Sequence, residues 1–378
     1  MSPLRNKRGW LIAAILLVPS LAALISFGRP VATVRLLGVV RRVAAGEIGS
    51  SHAVAEETIT RYPEGVKRIG IVYRPASADP ASAVILVHGV SELGCYHPRL
   101  VSLARALAEA GYLVLTPDIA MLRDFRIHPP PLDEISYWLK EVRNLDGGRR
   151  LRRVGLAGIS FSGTLCLIAA SQPQNRDAVA YVVGIGCFDD LIRCSTGWFA
   201  AGPVTVGDGY YPTRFYAKWI MMLAAIDMIE SRGDREFLQA VLRSLLLQEE
   251  PPAIPGSLTA EGRRWHRLAL MREDQEDPAL AHQIVQHIAP ILYPDLATER
   301  PGAEIRCPVF LAHGAYDDLI PPEESVRLRQ KILHARSRLL ISPFVTHTHP
   351  MEKSLHWRQK AGAALDLFGF FHALSGVM

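Results

Sequence analysis

No two cysteines are spaced C-x-x-C, and no cysteine–histidine group has zinc-ligand spacing, so the chain carries neither a dithiol redox motif nor a zinc finger. Of the five cysteines, Cys166 and Cys307 lie in apolar runs and read as buried hydrophobes. Cys187 and Cys194 are a candidate pair in an oxidising compartment, though nothing in the sequence forces the bond. A net charge of +5 comes without a long Lys/Arg block or basic–aromatic interleaving in the body of the chain, which argues against nucleic-acid binding. No G-x-G-x-x-G follows an early strand, and there is no internal repeat or low-complexity stretch. Charged residues make up only 21% against 49% hydrophobic, too few for a disordered chain and enough apolar matter for a substantial core. At 378 residues that core fits one large α/β domain or two smaller ones.

What is present is organised around Val154-Gly155-Leu156-Ala157-Gly158-Ile159-Ser160-Phe161-Ser162-Gly163. An apolar run ends in small residues and passes straight into the apolar series Leu165 to Ala169, which reads as strand, abrupt turn, helix. A serine at such a turn has a strained backbone, tolerated because its neighbours are small. Its hydroxyl projects at the C-terminal edge of the sheet, beside the positive end of the next helix. The stretch resembles the nucleophile elbow of the α/β-hydrolase family, with Ser160 in the nucleophile's place. One departure is visible: the fifth position of G-x-S-x-G is Ser162, and glycine comes one residue later, at Gly163.

The rest of the pattern agrees with this resemblance. Ile59–Tyr62 and Lys67–Tyr73 read as an opening hairpin, and Ala83–Val87 as a strand buried on both faces that ends in His88-Gly89-Val90. Helix and strand then alternate as far as Ala178–Gly186, the pattern of a mostly parallel sheet with right-handed crossovers. Four helical stretches follow without a strand: Phe215–Ile229, Arg235–Leu247, Ala260–Met271 and Leu280–Ile291. The alternation resumes at Pro308–Gly314, continues through Glu323–Leu333 and Arg338–Ser342, and closes on a helix from about Glu352 to Leu374. The resemblance implies an α/β-hydrolase fold, with helices on both sheet faces and an inserted helical cap. The expected domains are residues 56–187 and 305–378 for the core and 188–304 for the cap.

Ahead of the core, Trp10 to Gly28 runs without a charge after Arg5, Lys7 and Arg8. A helix of that length spans a bilayer at about 1.5 Å per residue. A retained anchor over residues 1–30 is the preferred expectation, with a cleaved signal peptide and secretion as the alternative. Residues 31–55 read as a basic amphipathic linker, with Leu36, Leu37, Val39, Val40 and Val43 among Arg35, Arg41 and Arg42, lying at the lipid interface or docked on the domain. Basic residues flank the apolar run on both sides, so the membrane side is left open.

A serine hydroxyl becomes a nucleophile only with a base in reach and a carboxylate to fix that base's tautomer. The resemblance implies the chain order Ser, acid, His. His313-Gly314-Ala315-Tyr316-Asp317-Asp318-Leu319-Ile320-Pro321 looks like the family's acid loop, with Asp317 as the acid, Asp318 as a solvated neighbour, and Asp190 (beside Asp189) as the weaker alternative. His347 is the preferred base and His349 the alternative. The backbone amides of Val90 and Phe161 would form the oxyanion hole, and His88 would hold its loop. No metal or organic cofactor is implied.

The function expected is hydrolysis of a carboxylic ester, small or lipid-like, through an acyl-enzyme. Trp198, Trp219, Met221, Met222 and Met228 would form an apolar acyl pocket. Acyltransferases, C–C bond hydrolases and peptidases share the framework, and a membrane-tethered binding protein without turnover is the reading from a different class. Nothing in the sequence speaks to oligomeric state.

Overall fold

The computed structural model describes residues 30–44, 54–76, 80–128, 130–146, 151–200, 213–270, 277–296, 304–317, 319–334, 336–345 and 357–378. The apolar run Trp10–Gly28 lies outside them. Among the described residues no helix is long and apolar enough to cross a membrane.

The chain builds one eight-stranded sheet of order β1-β2-β4-β3-β5-β6-β7-β8. Strands β1 (Val54–Arg61) and β2 (Arg68–Pro75) form the expected antiparallel hairpin, and β2 also runs antiparallel to β4 (Leu113–Asp118). All other pairings are parallel: β3 (Ser82–Val87) lies between β4 and β5 (Arg153–Ile159), followed by β6 (Tyr181–Ile185), β7 (Val309–Gly314) and β8 (Arg338–Ser342). Every residue of β3 and of β4 is buried, as continuous apolar runs require at the centre of a sheet covered on both faces.

Alternation along β3 divides the core. Ala83, Ile85 and Val87 join one apolar cluster, while Val84 and Leu86 join the other. The first cluster takes in α4 (Leu132–Glu141) and α5 (Phe161–Ser171), and the second takes in α2 (Pro98–Glu109) and α12 (Trp357–Ser375). Short α3 (Ala120–Arg123) follows β4, and α11 (Pro322–Lys331) links β7 to β8.

Helix α1 (Pro30–Ala44) corrects one expectation. It turns its apolar side into the protein, not toward lipid: Leu36 and Val39 are buried in the cluster of α2 and α12. The buried Thr33 hydroxyl lies 3.2 Å from His372 Nδ1 and 3.1 Å from Ser375 Oγ at the end of α12. The folded body therefore includes α1, whose contacts remove Leu36 and Val39 from water.

Among the described residues five α-helices lie between β6 and β7 where the sequence suggests four: α6 (Leu191–Ala200), α7 (Thr213–Ala224), α8 (Arg232–Leu247), α9 (Ala260–Leu270) and α10 (Pro278–Leu296). The unexpected α6 had a visible start signal in Asp190, whose Oδ1 accepts the amides of Ile192 and Arg193. Trp198, Trp219, Met221 and Met222 are buried in the main apolar cluster, so they pack the inserted helices onto the body instead of lining an open pocket. All five cysteines are free and buried; Cys187 and Cys194 do not pair.

Lys218, on α7, is fully buried. Its Nζ donates to the Leu268 carbonyl at 2.5 Å, and the Trp219 indole donates to the Ala269 carbonyl at 2.9 Å, so neighbouring side chains satisfy the C-terminal end of α9. Burial pushes the Lys218 ammonium down to about 7 from its ordinary 10.5. The unfolded chain then holds the proton more tightly between these values, and this group makes folding stability rise across that window. Urea unfolding is expected to show a gain of about 2 kcal/mol from pH 7 to pH 9 attributable to this group. The gain should be absent in Lys218→Met; a pH dependence unchanged in that variant would refute the assignment.

Candidate active site

The elbow begins with β5 and is fixed by sterics. Ser160 has φ 59° and ψ −127°, a region that L-residues avoid. A Cβ on Gly158 would run into the Ser162 carbonyl, and one on Gly163 would run into Cys187 Sγ. These glycines allow β5 and α5 to approach closely enough for the turn. Ser162, the departure from the motif, fits because its Oγ donates to the His88 carbonyl. It joins the elbow to the loop after β3, a role glycine at this position does not supply.

That loop is held from two further directions. His88 is buried, with Nδ1 2.7 Å from the Gly89 carbonyl and Nε2 accepting the Ile119 amide at 3.0 Å. Both ring nitrogens are thereby assigned, and burial pushes the imidazole pKa down, favouring the neutral ring. Tyr216, on α7, donates its hydroxyl to the Val90 carbonyl at 2.9 Å and packs edge-on against Phe125. Sequence reasoning missed Tyr216, since nothing in a helical apolar pattern tells which side chain reaches a loop more than a hundred residues earlier. Phe161, the first residue of α5, has an amide with no acceptor within its own helix.

If the Val90 amide serves the oxyanion, the Tyr216 hydroxyl is a positioning group for it. Tyr216→Phe is then expected to lower kcat roughly tenfold, on the scale of one hydrogen bond, with KM nearly unchanged. Steady-state kinetics on a soluble ester decides it; an unaltered kcat would remove Tyr216 from that role.

Asp317 follows β7, and its side chain is almost wholly buried. Its Oδ1 accepts the amides of Leu319 and Ile320, both at 3.0 Å, while Oδ2 lies 3.4 Å from His313 Nε2. His313 is itself held, with Nδ1 2.6 Å from Ser325 Oγ and Nε2 2.9 Å from the Ile320 carbonyl. The histidine of the acid loop is thus a brace for the turn that presents Asp317.

Asp190 sits elsewhere and is otherwise occupied. Besides capping α6, its Oδ2 lies 3.5 Å from Arg193 Nη1. Asp189 pairs with Lys331 at 2.7 Å and with Arg193 at 3.2 Å. Buried Glu324 accepts the amides of Asp189 and Asp190 and two bonds from Arg193, a network that clamps the start of the insertion to α11.

A ladder of backbone bonds connects the C-terminal strand ends: Ser160 N to Ile185 O at 2.7 Å, Gly186 N to Ala312 O at 2.8 Å, and Ala315 N to Ser342 O at 3.0 Å. It brings the turns carrying Ser160 and Asp317 and the segment leaving β8 to one edge. A Cβ on Gly314 would lie 2.7 Å from the Val345 carbonyl, so the chain two residues before His347 crosses directly over the acid loop. His347, His349 and Asp318 lie outside the described residues. Among the described residues no group of acidic, histidine or cysteine side chains is arranged to hold a metal ion.

No protein-family model matches the chain, and no curated protein is similar to it. Solved structures with a similar course include an esterase from Rhizomucor miehei, at 15% identity over 91% of each chain with a TM-score of 0.48. An esterase from Pyrobaculum calidifontis matches at 15% identity over 93% of this chain and 95% of its own, TM-score 0.47. A protein described as a dienelactone hydrolase from Klebsiella pneumoniae matches at 15% identity over 84% and 98%, TM-score 0.42. The fold rests on the protein's own geometry. A sheet ordered β1-β2-β4-β3-β5-β6-β7-β8 in which β2 alone runs against the other strands, turning at a positive-φ serine between β5 and α5, is the architecture that the sequence resemblance implies. The chain has the α/β-hydrolase fold.

Proposed function

We propose that the protein is a serine hydrolase that cleaves a carboxylic ester through an acyl-enzyme. Ser160 attacks the carbonyl carbon, and His347 takes its proton as general base. Asp317 orients that histidine and offsets the charge it gains. The amides of Val90 and Phe161 donate to the oxygen of the tetrahedral intermediate. His347 then passes its proton to the departing alcohol, and water attacks the acyl-enzyme by the same route in reverse.

The observation that carries this reading is the backbone of Ser160. Strain at φ 59° is kept here by the close approaches at Gly158 and Gly163 and by the Ser162–His88 bond that fastens the elbow to the loop bearing Val90. A turn needed only to connect β5 with α5 has no use for it. Asp317 is supported over Asp190 because the oxygens of Asp190 already cap α6 and face Arg193. The test is labelling with a fluorophosphonate, which reacts only with an activated serine. Labelling confined to Ser160 supports the reading, and no labelling of folded protein overturns it in favour of a binding protein without turnover.

The run Trp10–Gly28 is proposed as a membrane anchor that leads directly into α1. Full-length protein retained in membranes after a carbonate wash supports this; soluble protein with a mature N-terminus near Ala23 would show a cleaved signal.

A further inference from the structure

The edge of the sheet remote from Ser160 is shaped for an anion. A cleft of about 370 Å³ opens where β5 to β8 begin, and Arg153, Arg176, Arg306, Arg336 and His334 face it. Two of these cations are partly neutralised: Arg306 lies 3.2 Å from Asp177 and Arg176 lies 2.5 Å from Glu304. Among the described residues Arg153 and Arg336 have no carboxylate within ion-pair distance. Four guanidinium groups against two carboxylates leave the cleft with a net positive charge. Arginine's planar fork matches a phosphate or carboxylate with two parallel bonds, so four arginines lining one cleft suit a phosphate-type anion.

A second observation places this cleft relative to the rest of the chain. Its wall includes Gly376 and Val377, which directly follow Ser375, the residue whose hydroxyl meets Thr33 of α1 at 3.1 Å. Arg35, two residues further along α1, comes near Gly111 just ahead of β4, on the same edge. The chain ahead of Pro30 therefore joins the body beside the arginine cleft, with the apolar run Trp10–Gly28 separated from α1 by Arg29 alone.

We propose that the cleft binds the phosphate of an anionic phospholipid headgroup, so that this edge of the sheet sits against the bilayer. Attachment through residues 10–28 is the reading given above and accounts for the supply of lipid; the phosphate site stands on the cleft itself. Strand β5 separates Arg153 from Ser160 by seven residues, about 23 Å of extended chain. The elbow then opens away from the membrane, and the ester it cleaves comes from the aqueous phase, not from the bilayer.

The test uses the full chain in micelles of a neutral detergent, with thermal unfolding as the readout. Dioleoylphosphatidylglycerol, dioleoylphosphatidylcholine and inorganic phosphate are added separately. Phosphatidylglycerol is expected to raise Tm by several degrees in a saturable way, and phosphatidylcholine to leave it unchanged. In Arg153→Gln/Arg336→Gln the shift should vanish while Tm without lipid and hydrolysis of a soluble ester stay at the wild-type level. Arg306→Gln, read in the same way, should weaken the shift and guards against misfolding of the double variant. Equal shifts with both lipids, or a shift retained in the variants, would overturn the site. A shift with inorganic phosphate and none with phosphatidylglycerol would overturn the lipid as its occupant. Because melting is read without turnover, failure of the hydrolase reading leaves this result intact.

Discussion

Ser160→Ala is expected to cut ester hydrolysis by roughly 10⁴–10⁶-fold, as loss of a triad serine does, and to leave the protein folded. The stability half of this expectation follows from backbone geometry. Alanine at φ 59° and ψ −127° meets the same Cβ strain as serine, so nothing about the turn changes except the lost hydroxyl. Ser160→Gly separates function from stability. Glycine adopts positive φ without that strain, and the variant is expected to be more stable by about 1 kcal/mol while equally inactive. Turnover of a soluble ester and urea midpoints of the three proteins decide the matter. Near wild-type turnover in Ser160→Ala would remove the residue from its role, and no gain in Ser160→Gly would mean that the turn is unstrained.

The second large effect belongs to the acid. In Asp317→Asn one side-chain position still accepts the amides of Leu319 and Ile320, so the turn after β7 keeps its shape. The other position becomes a donor where a carboxylate should hold the base's N–H, favouring the wrong tautomer, and turnover is expected to fall by about 10⁴. Asp190→Asn gives the contrast. Asparagine caps a helix about as well as aspartate, so α6 keeps its start and turnover should hardly move. Asp318→Asn should be equally mild. His347→Ala should match the loss seen in Ser160→Ala, and His349→Ala should fall well short of it. If Asp190→Asn or Asp318→Asn proved as damaging as Asp317→Asn, the acid would have to be reassigned.

Much of this protein was legible in its residues alone. A continuous apolar run as short as Ala83–Val87, bounded by turn residues, marks a strand covered on both faces, and the glycines at 158 and 163 with a serine between them mark a strand–helix contact too tight for larger side chains. Such signals are local: they depend on period and on volume within a few residues, and the chain itself displays both. Tertiary structure decided what depends on distant partners. A basic amphipathic helix reads the same whether lipid or protein covers it, and only Thr33, Leu36 and Val39 against α2 and α12 show that α1 belongs to the body. Trp198, Trp219, Met221 and Met222 look alike as pocket or packing until their burial is seen. Tyr216 and the arginines at the far edge gain meaning only when crossovers bring together residues distant in sequence, since a side chain's partner is set by where the backbone places it and not by its neighbours along the chain.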